Sequence, residues 1–158
     1  MRKVKPLGAL VAVILAVAAL LAVNLLVGRV AGRQKYQQIT PDSQGVVKID
    51  VGDLEKLQVR FYRFINRGNQ EVLFFVGRDE NGTIQVAFDA GESHYRLRRG
   101  FSHQGAWIVD NKCESASHLS AVNSGGSGCK PTPLAHRVVG NQVVLQEGEI
   151  LKGWRYFR

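Results

Sequence analysis

Leu57-Gln58-Val59-Arg60-Phe61-Tyr62-Arg63-Phe64-Ile65 sets apolar Leu57, Val59 and Phe61 on alternate positions, with Gln58, Arg60 and Tyr62 between them. A period of two sends successive side chains to opposite faces, so this segment predicts a half-buried β-strand. Glu71 to Val76 and Ile84 to Phe88 follow as apolar strands. Between them lies Asp79-Glu80-Asn81-Gly82, a hairpin signal because Asn and Gly tolerate positive φ. Upstream, Val46 to Asp50 reads as a short strand; downstream, Gln104 to Val109 reads as another. His136 to Val139 and Gln142 to Gln146 flank Gly140-Asn141 as a second hairpin, and Trp154-Arg155-Tyr156-Phe157 alternates again. With no persuasive soluble helix, the pattern predicts a mainly β fold, a small barrel or sandwich. Trp107 and Trp154 are expected in its core. The segment from Asp89 to Pro133 is rich in Gly, Ser and His and lacks apolar periodicity, so it is expected to be irregular and to carry any site.

Ahead of the β segments runs Leu7 to Val27, LGALVAVILAVAALLAVNLLV, interrupted only by Asn24. About 20 apolar residues cross a bilayer as a helix, so residues 1–33 read as a single uncleaved membrane anchor. A cleaved secretory signal has a shorter apolar centre, about 7–15 residues, and a small-x-small cleavage site, which Val27 to Arg33 matches poorly. A pilin-type leader, cut at Gly8, usually carries an acidic residue near the start of its helix, and none occurs here. Residues 34–44 read as a linker with a turn at Pro41-Asp42, and residues 45–158 as the β domain. Basic residues balance across the helix: Arg2, Lys3 and Lys5 before it, Arg29, Arg33 and Lys35 after it. A short basic stub ahead of one helix stays in the cytoplasm, so the expected arrangement is single-pass in the cytoplasmic membrane, with the C-terminal domain extracytoplasmic.

The formal net charge of +8 invites a nucleic-acid reading. Five of the 21 basic residues lie within residues 1–33, which leaves 16 basic against 13 acidic residues over 34–158. Apart from Arg96, Arg98 and Arg99, the basic residues are scattered as solvated strand faces would scatter them, and no nucleic-acid motif is present. No serine sits in a nucleophile elbow, so nothing recommends a catalytic triad. Gly125-Gly126-Ser127-Gly128 could cradle an anion, but no helix follows it as one follows a phosphate loop.

Cys113 and Cys129 are the two cysteines, separated by a Gly/Ser-rich stretch. In an oxidising compartment such a pair is most simply a disulfide, worth about 3 kcal/mol for a loop of this length. The alternative is a metal site. His94, His103, His118 and His136 fall in the same region, with Asp89 and Asp110 nearby, and thiolate, imidazole and carboxylate together suit zinc, copper or iron. Asp110-Asn111-Lys112-Cys113 has the two-residue gap of a ligand knuckle.

Three ordered blocks stand out: Phe88-Asp89-Ala90-Gly91-Glu92-Ser93-His94-Tyr95, Val109-Asp110-Asn111-Lys112-Cys113, and Gly128-Cys129-Lys130-Pro131-Thr132-Pro133-Leu134. Over residues 45–157 the chain resembles the membrane iron–sulfur-containing protein FtrD-like family, a domain of unknown function associated with iron-uptake permeases. The motif of that family runs approximately FDACxxCY, then VCxxC, then GGCNPxPL. Here Gly91, His94 and Asp110 stand where the family has cysteines, while Cys113 and Cys129 remain. Two cysteines, one histidine and one aspartate make neither a four-thiolate nor a two-Cys, two-His cluster set.

The resemblance therefore implies a metal-binding domain holding one Zn, Cu or Fe ion through His94, Asp110, Cys113 and Cys129, and serving metal transport or redox handling. Its partners would be the membrane and a permease or redox protein. The rival expectation is a metal-free structural or assembly module, stapled by Cys113–Cys129, that self-associates or joins a membrane complex. A disulfide sulfur is not a thiolate ligand, so the two readings exclude each other in one redox state.

Overall fold

The computed structural model describes residues 35–126 and 128–158, together with Val17. The anchor expected at Leu7 to Val27 otherwise lies outside the described residues, among which no helix is long and apolar enough to cross a membrane. Tyr36–Arg158 forms one compact unit.

The unit is mainly β. Its central sheet holds β1 (Tyr36–Ile39), β3 (Gln58–Ile65), β4 (Glu71–Arg78) and β5 (Ile84–Phe88) in the order β1-β3-β4-β5. β1 lies within the segment read as a linker and pairs parallel to β3, Tyr36 opposite Phe61. The remaining pairs are antiparallel, with Phe61 opposite Phe75 and Phe75 opposite Ala87. The turn from β4 to β5 falls where Asn81-Gly82 predicts it, but only Gly82 takes a positive φ, +89°. Buried Asp79 organises that turn: its Oδ1 accepts the backbone N–H groups of Asn81 and Thr83, each at 2.9 Å.

Two smaller sheets complete the fold. One orders β2 (Val46–Asp50), β10 (Gln142–Gln146) and β9 (Arg137–Val139); the other orders β6 (Phe101–Gln104), β7 (Trp107–Asp110) and β8 (Ala116–His118). Alternation along the central strands feeds two separate cores. Tyr62, Phe64, Phe74, Val86 and Phe88 pack with Val47, Ile49, Val143, Leu145 and Ile150. Phe61, Phe75 and Ala87, one residue out of phase, pack with Phe101, Ile108, Leu119 and Val122. Phe74 and Phe75 are both wholly buried although they are sequence neighbours. A strand buried on both faces reads as a continuous apolar run, which is why VLFFV and IQVAF show so little alternation.

Four expectations need correction. The sheets do not close into a barrel: they are separate sets of four, three and three strands. Gln104 to Val109 is not one strand but the end of β6, a turn at Gly105 with φ +58°, and the start of β7. Trp107 is 46% exposed, because it stands on the outer side of β7, edge-on to His118 with ring centroids 4.9 Å apart. Trp154 to Phe157 is not a strand. Helix α1 (Glu147–Leu151) runs into a 3₁₀ turn at Lys152–Tyr156, with Glu147 and Glu149 in the first turn of α1, where carboxylates suit the helix dipole. Gly153 lets this turn lie directly against the Phe88 ring.

Candidate functional site

The three blocks singled out in the sequence meet because of how the chain leaves β5. Backbone bonds run from Phe88 N to Thr132 O (2.9 Å), Thr132 N to Ala90 O (3.1 Å) and Leu134 N to Val86 O (3.0 Å). The Pro-rich third block thus lies antiparallel along the first, which brings Cys129 beside Gly91. A Cβ built on Gly91 would stand 2.5 Å from Lys130 O and 3.6 Å from Gly128 O. The second block is tied to the first through Asp89. Its buried carboxylate accepts the Phe101 N–H at 2.6 Å and holds β6 in place, and β6 in turn carries β7.

At the end of β7 the chain turns through Asp110, whose Oδ1 accepts the N–H groups of Lys112 (2.7 Å) and Cys113 (2.8 Å). Glu114, at φ +57°, completes the turn and donates its N–H to Asp110 O at 2.9 Å. Cys113 therefore sits on a tight carboxylate-braced turn, whereas Cys129 sits on a loop in which Gly125, Gly126 and Gly128 all have positive φ. The two cysteines form a disulfide with Cα atoms 6.3 Å apart. One ring nitrogen of His94 joins them: the imidazole nitrogen and both sulfurs lie within 4.8 Å of one another. Both cysteines are half-buried and His94 is exposed.

Of the four residues expected to coordinate, His94, Cys113 and Cys129 come together, while Asp110 lies outside their cluster. Its carboxylate faces the backbone of its own turn instead. The other histidines are engaged elsewhere. His103 Nε2 donates to Gly105 O at 2.7 Å, His136 Nδ1 donates to Leu134 O at 2.9 Å, and His118 Nδ1 lies 2.8 Å from Ser120 Oγ.

Beside His94 opens a cleft of about 80 Å³, lined among others by Gly91, Asp89, Asp110, Arg98, Arg99 and Lys112. Tyr36 reaches into the same cleft and donates its hydroxyl to Asp89. Burial first, then the Asp89 charge, push the Tyr36 phenol well above the usual tyrosine range, so it holds its proton as a fixed donor. Nothing in the sequence of the 34–44 segment marked Tyr36 as part of this region. In the sequence, the run Arg98-Arg99 is the visible signal for the cationic lining, whereas nothing around Lys112 marks it as part of the cleft.

No curated protein and no solved structure matches the chain. Residues 54–157 match the family described as membrane iron–sulfur containing protein FtrD-like. That span covers most of the described unit and all five of the positions compared above. The chain belongs to this FtrD-like membrane family.

Proposed function

We propose that this domain binds one transition-metal ion through His94, Cys113 and Cys129 when the disulfide is open, and serves metal transport or redox handling at a membrane. The observation that carries the reading is the cluster itself: an imidazole nitrogen and two sulfurs within 4.8 Å, drawn from three separate blocks. Membership of an iron-related membrane family supports it. A tetrahedral ion with metal–sulfur bonds of about 2.3 Å would part the sulfurs to about 3.8 Å. The glycine-rich loop before Cys129 supplies the freedom for that small movement. Asp110 acts here as the brace of the Cys113 turn.

An iron–sulfur cluster does not fit these residues. Only one histidine stands beside the two cysteines, so neither four thiolates nor a two-Cys, two-His set is at hand. Nor does the position of Gly91 leave room for a cysteine while Lys130 O occupies its Cβ space. A single ion with borderline-soft preferences, zinc or copper, suits one imidazole and two thiolates best.

Metal content measured on protein reduced and then reconstituted with zinc tests the reading. Close to one ion per chain supports it, and less than about 0.1 rules it out. A second reading rests on the disulfide: a metal-free staple that stabilises an assembly module. Quantitative Cys113–Cys129 pairing in protein taken from cells, with no uptake after reduction, favours that alternative.

A further inference from the structure

We propose that the Cys113–Cys129 disulfide is exchangeable, and that Arg98, Arg99 and Lys112 select a small anionic thiol as the reductant that opens it. The inference rests on the metal-binding reading for its purpose, since opening the disulfide is what frees the two thiolates. Its chemistry can be tested separately.

The sulfurs are half-buried rather than sealed in either core, and no member of the two hydrophobic clusters is a cysteine. Cations surround the approach. Arg98, Arg99 and Lys112 line the cleft beside His94. Lys112 directly precedes Cys113, Lys130 directly follows Cys129, and Arg96 lies two residues beyond His94. All five cations are exposed, and among the described residues none of them forms an ion pair.

Three carboxylates, Glu71, Asp89 and Asp110, line the same cleft, but they are held inward or paired while the cations project from its exposed rim. Asp89 and Asp110 are buried and accept hydrogen bonds, Glu71 pairs with Arg63, and Glu92 pairs with Arg155. Glu114, directly after the second block, is the exposed carboxylate left beside Cys113. The chain also holds Arg98 at φ +50°, a backbone region that non-glycine residues rarely adopt. Unpaired cations gathered in a concavity raise the local concentration of anions, and the effect fades as salt screens it. A cleft of about 80 Å³ admits a group the size of a carboxylate and its neighbouring atoms, not a folded partner. A carboxylate held there leaves its own thiol to reach past His94, whose ring nitrogen is within 4.8 Å of both sulfurs.

The exchange takes two thiols. The first, as thiolate, attacks one sulfur, forming a mixed disulfide and releasing the other cysteine, which takes up a proton. The second attacks the mixed disulfide, leaves as the symmetrical small-molecule disulfide, and releases the second cysteine. Two electrons and two protons enter the protein, and two thiols become one disulfide.

The full chain in detergent is treated with mercaptopropionate (anionic), mercaptoethanol (neutral) or cysteamine (cationic). Opening is followed by mass spectrometry, with rates normalised to thiolate concentration and to the intrinsic reactivity of each thiol. The anionic thiol is expected to outpace the neutral one by at least about threefold at low salt, and the cationic one by more. The gap should close in about 1 M salt, where the screening length is roughly 3 Å. The triple variant Arg98→Ala, Arg99→Ala, Lys112→Ala should lose the preference while still opening with mercaptoethanol. Equal rates for all three thiols, or a preference indifferent to salt in the unmodified chain, would overturn the inference whether or not the variant folds. Zinc uptake after opening with neutral dithiothreitol is scored independently, so loss of one result does not entail loss of the other.

Discussion

Replacing Gly91 by alanine tests the central packing of the site. Gly91 has no positive φ, so a Cβ there would ordinarily stabilise the fold by about 0.4–1 kcal/mol through the unfolded chain. Here the added atom meets Lys130 O at 2.5 Å, against the 3.4 Å at which ordinary contact begins, and that oxygen belongs to backbone. The Lys130 carbonyl must retreat by about 0.9 Å, although its neighbour Cys129 is tied to Cys113. Overpacking costs about 1–3 kcal/mol, and a shift forced on backbone belongs in the upper half of that range, about 2–3, so a net loss of about 1–2.5 kcal/mol remains after the entropic gain. For a unit of this size that lowers Tm by about 4–8 °C. Thermal unfolding followed by circular dichroism reads it directly. Reduction frees the Cys129 loop, so the penalty should fall by about half in reduced protein, even as overall stability drops by about 3 kcal/mol. An alanine variant as stable as the parent, or a penalty of the same size in both redox states, would refute the reasoning.

Three further outcomes follow from the same geometry. Asp110→Ala leaves the N–H groups of Lys112 and Cys113 without their acceptor and should cost about 1–3 kcal/mol in urea unfolding, whereas Asp110→Asn, which keeps an Oδ1, should cost clearly less. Backbone N–H groups of Val46 and Gln44 hold the Asp42 carboxyl below its ordinary value of 3.8. The ionised form is therefore favoured in the folded state, and its contribution is present above that value and lost as pH falls below it. The gap in urea midpoint between the parent and Asp42→Asn should be widest near neutral pH and should narrow as pH falls below 3.8. At Gly153 an added Cβ would stand 2.2 Å from Phe88 Cε1, so Gly153→Ala should lose about 1–3 kcal/mol in the same assay, and an unaffected midpoint would mean that the C-terminal turn does not lie on β5 as described.

Sequence pattern and structure agree where local chemistry decides the outcome. The strands from Gln58 to Phe88 and both Gly-containing hairpins were legible from alternation and turn residues. Periodicity says nothing about the three blocks; the family resemblance is what set them side by side, and in the structure the cluster of His94, Cys113 and Cys129 joins residues from all of them. What escaped depends on tertiary context. Tyr62 lies on the face expected to be polar, yet it is buried, because a second layer covers it with Val143 and Leu145. Residues 89–133 looked irregular because β6, β7 and β8 are three or four residues long, too short for periodicity to register. The Trp154 to Phe157 alternation misled in the opposite way: in a 3₁₀ turn, Gly153 and Tyr156 face the core three residues apart, and four residues cannot distinguish the two periods. Asp110 occupies a position where the family carries cysteine, but an aspartate that follows a strand also braces the next turn, and here the short-range bonds hold its carboxylate.

The central claim is that opening one disulfide turns three converging side chains into a metal site. Metal content of the same preparation, measured before and after reduction and zinc reconstitution, tests it most directly. The account predicts close to one ion per chain in the reduced protein, almost none in the oxidised protein, and loss of uptake in Cys129→Ser and His94→Ala. Reduced protein that retains less than about 0.1 ion per chain, or oxidised protein that binds as much as reduced, contradicts it.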